Sequence, residues 1–396
     1  MNTDEQIGTL LTKAVQEVLP SKEFLLTKLN SDKRLTIYAG FDPTAPTLHI
    51  GHSVSLRKLR QFQDLGHKVI FLVGDFTARI GDPTDKSAAR KQLTEKEIKT
   101  NLKLYKKQAE KFIRFSGKNK AEIKFNSSWL GKLKFADIIE LASHMTVDQM
   151  LKRDMFVRRN EEEKPIYLHE FFYPLMQGYD SVAMEVDGEV GGNDQLFNMM
   201  TGRTLLKQIK NKEKFVITNK LLEDGSGKKM GKTEGNMVSL LDSPEDMYGK
   251  IMSWVDGLIV PGFELCTDYT PKEVEEIKKI LEEGKNPRDL KMKLAFEITN
   301  ICHDKNKAQK AQDFFIGAFQ KKEIPDEILE VRPESDLGQT FIKSKLIVSN
   351  SELRRLIESG AVTHLESGKT ISLDDIKKVP EKGTYKIGKN RFIKII

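Results

Sequence analysis

The segment from residue 35 to residue 76 alternates short apolar runs with one helical pattern, and this alternation admits few folds. LTIYAGFD (35–42) predicts a strand, the stretch from Ser53 to Leu65 predicts a helix, and HKVIFLVGDF (67–76) predicts a second strand. The second run is apolar almost throughout, as is typical of a strand covered on both faces of a parallel sheet. We therefore expect a doubly wound parallel-sheet α/β fold, with a further strand in AEIKFN (121–126).

The length predicts two or three folded units, because 396 residues exceed what one hydrophobic core usually organises. Changes in the sequence pattern divide the chain into three expected domains. Residues 1–242 carry the Rossmann-like alternation and an inserted connective segment. Residues 243–325 are charged and helical in pattern, and SPED (243–246) is typical of a helix start, where carboxylates complement the helix dipole. Residues 326–396 combine a Pro-containing linker with a helix in SELRRLIESG (351–360) and Gly-punctuated strands in TYKIGKNRFIKII (384–396).

Much of the net charge of +7 lies at the C-terminal end, where residues 336–396 contain twelve Lys and Arg but seven Asp and Glu. This excess predicts a nucleic-acid module. No apolar run approaches the ~20 residues that span a bilayer, and the N-terminus lacks a signal-peptide pattern. Cys266 and Cys302 have neither disulfide nor metal-ligand spacing. We expect a cytoplasmic protein with no membrane span and no protein-held metal site.

His49-Ile50-Gly51-His52 stands where the first predicted strand passes into the first predicted helix. Backbone N–H groups and the positive helix end attract phosphate at such a turn. Gly51 would let a nucleotide approach the backbone, and both imidazoles can donate hydrogen bonds. The same residues are compatible with an ordinary surface turn, but their position directly after FDPTAPTL (41–48) favours a phosphate site.

A second basic signal is Lys228-Lys229-Met230-Gly231-Lys232-Thr233, which follows the Gly-rich EDGSG (223–227). Lys229 and Lys232, three residues apart on a flexible loop, can fold over a triphosphate and follow its charge to the leaving pyrophosphate. Most lysine clusters are solvated surface, so this signal gains weight only from the histidine turn upstream.

In this order, the two elements resemble the HIGH and KMSKS signatures of class I aminoacyl-tRNA synthetases. The second signature stands here as KMGKT, in which Gly231 and Thr233 replace serines and both lysines are retained. The resemblance implies amino-acid activation with ATP as substrate, accompanied by Mg²⁺, followed by transfer to tRNA.

YAGFDPTAPTLHIGH (38–52) and YPLMQGYDS (173–181) are similar to the tyrosyl-tRNA synthetase family. The resemblance places Tyr38 and Asp180 at the phenolic hydroxyl of a tyrosine substrate. It also places Tyr173, Gln177 and Asp82 at the substrate ammonium group, with Gln195 near the substrate carboxylate. Tyr173, Gln177 and Asp180 have the spacing of one helix face, which by itself also fits a half-buried structural stripe.

The same resemblance implies the ATP site. It assigns phosphate and nucleotide contacts to the histidine turn and its flanks, a ribose contact to GGNDQ (191–195), and pyrophosphate contacts to two basic loops. The assigned residues are Gly40, Asp42, Thr44, His49, Gly51, His52, Lys86, Arg90, Gly192, Asp194, Lys229, Lys232 and Thr233. Lys86 and Arg90 are equally compatible with solvated surface charges, and GGNDQ with an ordinary turn.

The C-terminal module resembles the S4-type RNA-binding fold of bacterial tyrosyl enzymes. Phosphate contacts are expected from its helix and strands, at Arg354, Arg355, Lys386, Lys389 and Arg391. The family also implies a homodimer, for which MTVDQMLKRDMFVRR (145–159) is the candidate interface, and an anticodon-side role for residues 243–325.

Three other functions remain open at this point. A tryptophanyl enzyme would share the architecture but would not use both Tyr38 and Asp180. An RNA-binding protein that had lost catalysis would have no need of both loop lysines. A small-molecule nucleotidyltransferase with an HxGH turn would not explain the basic C-terminal module.

Overall fold

The computed structural model describes residues 3–82, 93–223, 237–319, 328–344, 346–347, 349–388 and 391–396. Several predicted site residues therefore lie outside the described residues: Lys86, Arg90, Lys229, Lys232, Thr233 and Lys389. The chain divides into two compact units, Met1–Ala308 and Gln309–Ile396. The division into three domains at residues 242 and 325 stays a prediction.

The larger unit is built on a sheet whose strands among the described residues are β1 (Val15–Leu19), β2 (Thr36–Phe41), β3 (Lys68–Val73), β4 (Glu122–Phe125), β5 (Gly188–Gly192) and β6 (Phe215–Asn219). Their order is β1-β6-β5-β2-β3-β4. All neighbouring pairs are parallel except β1 with β6, which is antiparallel. The predicted parallel sheet is confirmed, and the antiparallel edge strand β1 is an addition to it.

Strand β3 is buried on both of its faces. Side chains alternate between the two faces of a strand, yet every residue from Val69 to Val73 is buried. Both faces of the sheet are therefore covered at this position, as the near-continuous apolar run predicts.

The helices vary from single turns to long amphipathic elements. In chain order they are α1 (Thr3–Thr12), α2 (Lys22–Leu29), α3 (Ile50–Asp64), α4 (Glu95–Leu102), α5 (Tyr105–Ala109), α6 (Ser127–Leu130), α7 (Phe135–Ser143), α8 (Val147–Leu151), α9 (Asp154–Glu161), α10 (Leu168–Met184), α11 (Leu196–Lys210), α12 (Pro244–Met252), α13 (Ile259–Cys266), α14 (Pro271–Glu282), α15 (Pro287–Cys302), α16 (Lys305–Phe319), α17 (Leu337–Lys343) and α18 (Asn350–Glu358). The first predicted helix starts earlier than expected, because His49 is its N-cap and Ile50 its first residue. Ser243 caps α12 as its sequence predicts, accepting a hydrogen bond from the Asp246 backbone.

The strand order locates the functional edge of the sheet. The chain runs outward from β2 through β3 to β4 and then returns to β5 on the other side of β2. In open parallel sheets, ligands bind at such a switch point, beside the carboxyl ends of the strands. The loops after β2 and β5 begin there, and they contain the histidine turn and the GGNDQ turn.

The smaller unit contains a five-stranded sheet of order β7-β11-β10-β8-β9. Its strands are β7 (Leu329–Val331), β8 (Val362–His364), β9 (Lys369–Thr370), β10 (Gly383–Ile387) and β11 (Arg391–Ile395). Phe341 of α17 and Leu353 of α18 share one buried core with Tyr385 and Ile393 of the sheet. The predicted helix and the two predicted strands of this region are all present.

Candidate active site

The histidine turn is closed by a hydrogen bond between its own residues. His49 caps α3 with extended backbone, and its N–H donates to Nδ1 of His52 at 3.1 Å. The two imidazole centroids are 3.9 Å apart. A Cβ at Gly51 would lie 3.0 Å from the His49 ring, so a larger residue would displace that ring. The turn therefore presents both imidazoles at the N-terminal end of α3.

The chain directly after the predicted lysine loop lies beside this turn. The N–H of Ile50 donates to Val238 O at 2.9 Å, and the N–H of Leu240 donates to Leu48 O at 2.9 Å. At the other end of the same loop, a Cβ at Gly192 would lie 2.9 Å from the Leu221 side chain. The described residues that flank 224–236 therefore lie beside the GGNDQ turn on one side and beside the histidine turn on the other.

Helix α10 carries Tyr173, Gln177 and Asp180, as the spacing predicts. Tyr173 and Asp180 are buried, and Gln177 is partly buried. The Tyr173 hydroxyl donates to Asp42 Oδ2 at 2.8 Å, and Gln177 Nε2 donates to Glu189 Oε1 at 3.2 Å. Tyr173 and Gln177 thus bond to two different carboxylates, and their grouping with Asp82 at a substrate ammonium stays a prediction.

Asp180 is a buried carboxyl group with two fixed donors. Trp129 Nε1 donates to Oδ1 at 2.7 Å, and Asn126 Nδ2 donates to Oδ2 at 3.3 Å. Asn126 is itself oriented, because its Oδ1 accepts the Phe76 N–H at 2.9 Å. Burial raises the pKa of Asp180 well above its ordinary value, while the two hydrogen bonds act in the opposite direction.

Tyr38, on β2, shares the neighbour Trp129 with Asp180 of α10. Its ring is fully buried and packs in one apolar cluster with Trp129, the tryptophan that bonds to Asp180. Its hydroxyl is 2.9 Å from Ser181 Oγ, so the tyrosine reaches the residue next to Asp180 rather than Asp180 itself. Burial and the charges of Glu189 and Asp180 raise the pKa of Tyr38, which keeps the hydroxyl protonated.

A chain of hydrogen bonds joins the histidine-turn side of the site to Asp180. Thr77 Oγ1 donates to Asp42 Oδ1 at 2.7 Å, and Asn126 Nδ2 lies 3.1 Å from Thr77 Oγ1. Asn126 also donates to Asp180, which completes the chain. The loop after β2 and helix α10 therefore share one polar network.

Asp82 lies in a second polar cluster. Arg153 donates to Asp82 Oδ1 at 2.7 Å, and Gln195 donates to Oδ2 at 2.7 Å. Asn198 links the pair further, since its Nδ2 is 2.9 Å from Gln195 Oε1 and 3.3 Å from Asp82 Oδ2. The structure thus brings Asp82 and Gln195 together, as predicted residues of one site.

Residues before and after the predicted pyrophosphate loop also lie near the site. Asp82 directly precedes residues 83–92, and Leu93 directly follows them. Leu93 and Thr44 line the same cleft of about 360 Å³, together with Lys96 and Asn101. Thr44 is exposed there, and Gly40 is exposed at the end of β2.

Sequence reasoning missed Asn126, Trp129, Thr77 and Arg153. A usable signal existed for the first two, because NSSW (126–129) directly follows β4, and residues after parallel strands tend to face the ligand edge. Thr77 stands in the segment after β3, which ends at Val73. Arg153 had no such signal, since it precedes a short helix in a segment read only as an interface.

The basic residues of the smaller unit differ in their surroundings. Arg354 and Arg355 are exposed on α18. Lys386 Nζ lies 5.9 Å from the centre of the Phe392 ring. Arg391 forms an ion pair of 2.8 Å with Glu352 and also donates to Leu346 O, which ties β11 to the rest of its unit. Its phosphate contact stays a prediction.

Neither a protein-held metal cluster nor a membrane-spanning helix is found in the described part of the chain. No group of three or more His, Cys, Asp or Glu side chains there could hold a metal ion. No described helix is long and apolar enough to cross a membrane.

A family model described as tRNA synthetases class I (W and Y) matches residues 30–320 of the chain. Among curated relatives, "Tyrosine--tRNA ligase 2" of Clostridium acetobutylicum is 44% identical, covering 100% of this chain and 99% of its own length. "Tyrosine--tRNA ligase" of Thermotoga maritima is 42% identical, covering 100% of this chain and 98% of its own.

Solved structures are similar over most of the chain. A C-terminally truncated mitochondrial tyrosyl-tRNA synthetase of Coccidioides posadasii is 26% identical with a TM-score of 0.60, and the match covers 78% of this chain and 90% of that one. The Archaeoglobus fulgidus tyrosyl-tRNA synthetase complexed with L-tyrosine is 23% identical with a TM-score of 0.63, covering 78% and 99%. This second likeness concerns the fold alone.

Proposed function

The chain belongs to the class I tRNA synthetases of the tryptophan and tyrosine group, and from this premise we propose how its residues carry out the reaction. It is a ligase that joins tyrosine to tRNA and uses ATP as a substrate. In our proposal, the tyrosine carboxylate attacks the α-phosphate of ATP, which forms tyrosyl-adenylate and releases pyrophosphate. A hydroxyl of the 3′-terminal ribose of tRNA then takes the tyrosyl group and releases AMP.

The phenolic end of tyrosine is read by Tyr38 and Asp180. The burial of both side chains supports this assignment, and so do the Trp129 and Asn126 bonds that fix the Asp180 oxygens. Phenylalanine would cover both buried groups without offering either a hydrogen bond, which costs free energy that tyrosine binding does not. Tryptophan offers no hydroxyl for this pair of groups.

The ammonium group of tyrosine lies near Asp82, Tyr173 and Gln177, and its carboxylate near Gln195. The cluster of Asp82 with Gln195 and Arg153 supports this assignment, because a carboxylate held by fixed donors is a preoriented acceptor. Tyr173 contributes indirectly as well, since its bond to Asp42 links the ammonium end to the loop after β2.

ATP binds along the loops after β2 and β5. His49, His52 and Thr44 hold the polyphosphate, since a helix N-terminus favours anionic groups. Gly40, Asp42, Gly51, Gly192 and Asp194 lie close to the adenosine and the α-phosphate. ATP would enter with Mg²⁺, whose charge would offset part of the phosphate charge.

Basic side chains in residues 83–92 and 224–236 neutralise the departing pyrophosphate. They are Lys86, Arg90, Lys229 and Lys232, assisted by Thr233. The positions of the chain ends support this proposal: Val238 and Leu240 bond beside the histidine turn, and Leu93 lines the cleft at Thr44. Catalysis is then positioning plus electrostatic stabilisation, with no covalent intermediate on the enzyme.

The smaller unit binds tRNA as an S4-like module. Its helix and antiparallel strands, and the exposed Arg354 and Arg355, support this proposal. Lys386, Lys389 and Arg391 complete the proposed contact surface. We propose that residues 243–325 lie on the anticodon side of the tRNA, and that the enzyme works in the cytoplasm.

The enzyme acts as a homodimer through the segment that connects β4 to α10. Large apolar side chains are exposed there on several consecutive elements: Phe135, Ile139, Val147, Leu151, Tyr167 and Leu168. Phe135, Val147 and Leu168 each expose at least 69% of their surface. Exposed apolar surface of this kind supports a protein–protein contact.

The single observation that carries the proposal is the hydrogen-bond chain from Asp42 through Thr77 and Asn126 to Asp180. It links the loop that carries the histidine turn to the buried carboxylate that reads the phenol. One connected network at the switch point of the sheet can therefore position both substrates of the activation step.

Tyrosine-dependent ATP–pyrophosphate exchange tests the proposal with three proteins: wild type, Asp180→Ala and Lys232→Ala. We expect wild-type exchange with tyrosine and none with tryptophan. Asp180→Ala should lose mainly tyrosine binding, and Lys232→Ala mainly the rate at saturating substrate. Exchange that survives Asp180→Ala with an unchanged KM for tyrosine would contradict the assignment of the phenol site.

A further inference from the structure

The loop that joins β2 to α3 is held in place by side chains from another part of the chain. Residues 42–48 form this loop, which carries Thr44 and ends directly before His49. Pro43 and Pro46 have no backbone N–H, so the loop lacks a donor at both positions. Its path therefore depends on partners from outside the loop.

Gln108, on α5, is a buried amide that bonds to the end of this loop. Its side chain exposes 0% of its surface. Its Oε1 accepts the Leu48 N–H at 2.7 Å, and its Nε2 donates to Pro46 O at 3.2 Å and to Leu104 O at 3.1 Å. Because acceptor and donor ends of the amide are both bonded, its orientation is fixed. Gln108 thus fixes the backbone directly before the histidine turn.

Two side chains nearer the start of the same segment bond to the residues on either side of Thr44. Asn101 Nδ2, on α4, donates to Pro43 O at 2.8 Å. The hydroxyl of Tyr105, on α5, donates to Ala45 O at 2.7 Å. The position of the loop at Thr44 is thus set by side chains of α4 and α5.

The carbonyl side of Leu48 is held from this segment as well. Leu48 O accepts the Leu240 N–H at 2.9 Å, and Leu240 O accepts Lys111 Nζ at 2.6 Å. Lys111 lies three residues after Gln108. The two side chains therefore hold the paired residues Leu48 and Leu240 between them.

The placement of this loop matters for the reaction proposed above. Phosphoryl transfer depends on positioning, and a displacement of about 1 Å can lower a rate by about a hundredfold. Thr44 lies within the loop, and His49 and His52 follow it, so a shift of the loop would move these side chains relative to ATP. A helix or strand fixes its own path through repeated backbone bonds, whereas this loop relies on its neighbours.

We propose that Gln108 is a positioning residue for the ATP site, supported by Tyr105 and Lys111. By fixing residues 42–48, it places Thr44 and the histidine turn at the polyphosphate of ATP. This role rests on the proposed placement of ATP at the histidine turn. Gln108 itself contacts no reacting atom in this scheme.

Pyrophosphate exchange in Gln108→Met tests the role, because methionine has a similar volume and no amide. We expect kcat/KM for ATP to fall at least about tenfold. KM for tyrosine should stay unchanged, since the groups proposed to bind tyrosine lie on other elements. Tyr105→Phe removes only a hydroxyl, and it should also lower kcat/KM for ATP if Gln108→Met does not fold.

Gln63→Met is the matched control. Gln63 is a buried glutamine near the C-terminal end of α3, at the far end of this helix from the histidine turn. It also bonds to backbone through both ends of its amide, at Arg114 N, Arg114 O and Asn119 O. Its loss should lower the unfolding temperature about as much as Gln108→Met does, but leave kcat/KM for ATP unchanged.

Lys111 offers a test by rescue. Lys111→Met should lower kcat/KM for ATP, because Leu240 O loses its donor. Lys111→Arg can still donate to this carbonyl and should restore the wild-type value. Lys107→Met, at an exposed position of α5, should have no effect.

A double variant shows whether Gln108 acts through the histidine turn. Adding Gln108→Met to His52→Gln should lower kcat/KM for ATP by less than Gln108→Met does in wild type. Equal exchange in Gln108→Met and Gln63→Met, or an undiminished effect in the His52→Gln background, would overturn the positioning role alone. Absence of tyrosine-dependent exchange in wild type would instead overturn the proposed function.

Discussion

The guanidinium of Arg153 and the carboxylate of Asp82 form an ion pair of 2.7 Å in which the side chains expose only 4% and 14% of their surface. Arg153 precedes α9, in the segment proposed as the dimer interface, whereas Asp82 belongs to the proposed ammonium site. The pair therefore joins the proposed interface segment to the proposed ammonium site.

Replacing Arg153 should weaken tyrosine binding. Arg153→Met leaves Asp82 without one of its fixed donors, so the carboxylate is less well oriented toward the substrate ammonium. We expect KM for tyrosine in pyrophosphate exchange to rise about tenfold, equivalent to about 1.4 kcal/mol of binding. Lys152→Met, at the exposed neighbouring position, should leave KM unchanged. A lower KM in Arg153→Met would mean that the guanidinium competes with the ammonium group.

The two roles of His52 can be separated by choice of substitution. Its Nδ1 accepts the His49 N–H, a function that glutamine at the same helix position can take over. His52→Gln should therefore unfold near the wild-type temperature yet exchange pyrophosphate at least about tenfold more slowly. His52→Ala should also lose about 1 kcal/mol of stability with the cap. Wild-type exchange by His52→Gln would exclude a role for the imidazole in ATP binding.

The exposed apolar surface of α7 and α10 should control assembly. A charge in the centre of a self-complementary interface is placed opposite its own copy, so Leu168→Asp should dissociate the dimer. Light scattering during gel filtration should then report the monomer mass of 45.2 kDa. Val379→Asp, at a position 78% exposed in the smaller unit, serves as the control. If wild type and Leu168→Asp both have the mass of a monomer, the proposed dimer does not exist.

Arg354 and Arg355 should contribute to tRNA affinity through phosphate. Removal of one arginine–phosphate interaction should reduce the slope of log affinity against log salt by about 1. We expect the double variant Arg354→Gln with Arg355→Gln to bind tRNA more weakly and with a shallower slope, at unchanged pyrophosphate exchange. Lys22→Gln with Lys118→Gln removes the same charge from exposed sites of the larger unit and should leave the slope as it is. Equal slopes in both double variants would rule out these interactions.

Lys58 should give the larger unit a pH-dependent stability. Its ammonium donates to Leu10 O and Lys13 O, and burial together with the Lys13 charge lowers its pKa from 10.5 to about 7. Between these two values the unfolded chain binds a proton that the folded chain does not. The free energy of unfolding should therefore rise as pH increases through this window.

Urea unfolding at pH 7 and pH 9 measures this dependence. The wild-type midpoint should rise relative to that of Lys58→Met, which has no group to titrate at this position. Lys22→Met, which removes an exposed lysine, should respond to pH as the wild type does. If Lys58→Met and wild type shift equally, Lys58 is charged throughout the window.

Local sequence pattern was sufficient to predict several structural elements of this protein. The apolar run of β3 predicted a strand covered on both faces, and the spacing of Tyr173, Gln177 and Asp180 predicted one helix. The histidine turn was recognisable because its four residues are contiguous. Such features depend on residues a few positions apart, which share backbone geometry whatever the rest of the chain does.

Only the tertiary structure decided which side chains meet. Trp129 and Asp180 are 51 residues apart in the chain, Arg153 and Asp82 are 71 apart, and Tyr38 and Ser181 are 143 apart. These contacts exist because the order of strands brings the ends of β2, β3, β4 and β5 to one edge. Strand order depends on the packing of the whole sheet, and no short stretch of residues encodes it. The chemistry of each group could thus be read from the sequence, whereas its partners could not.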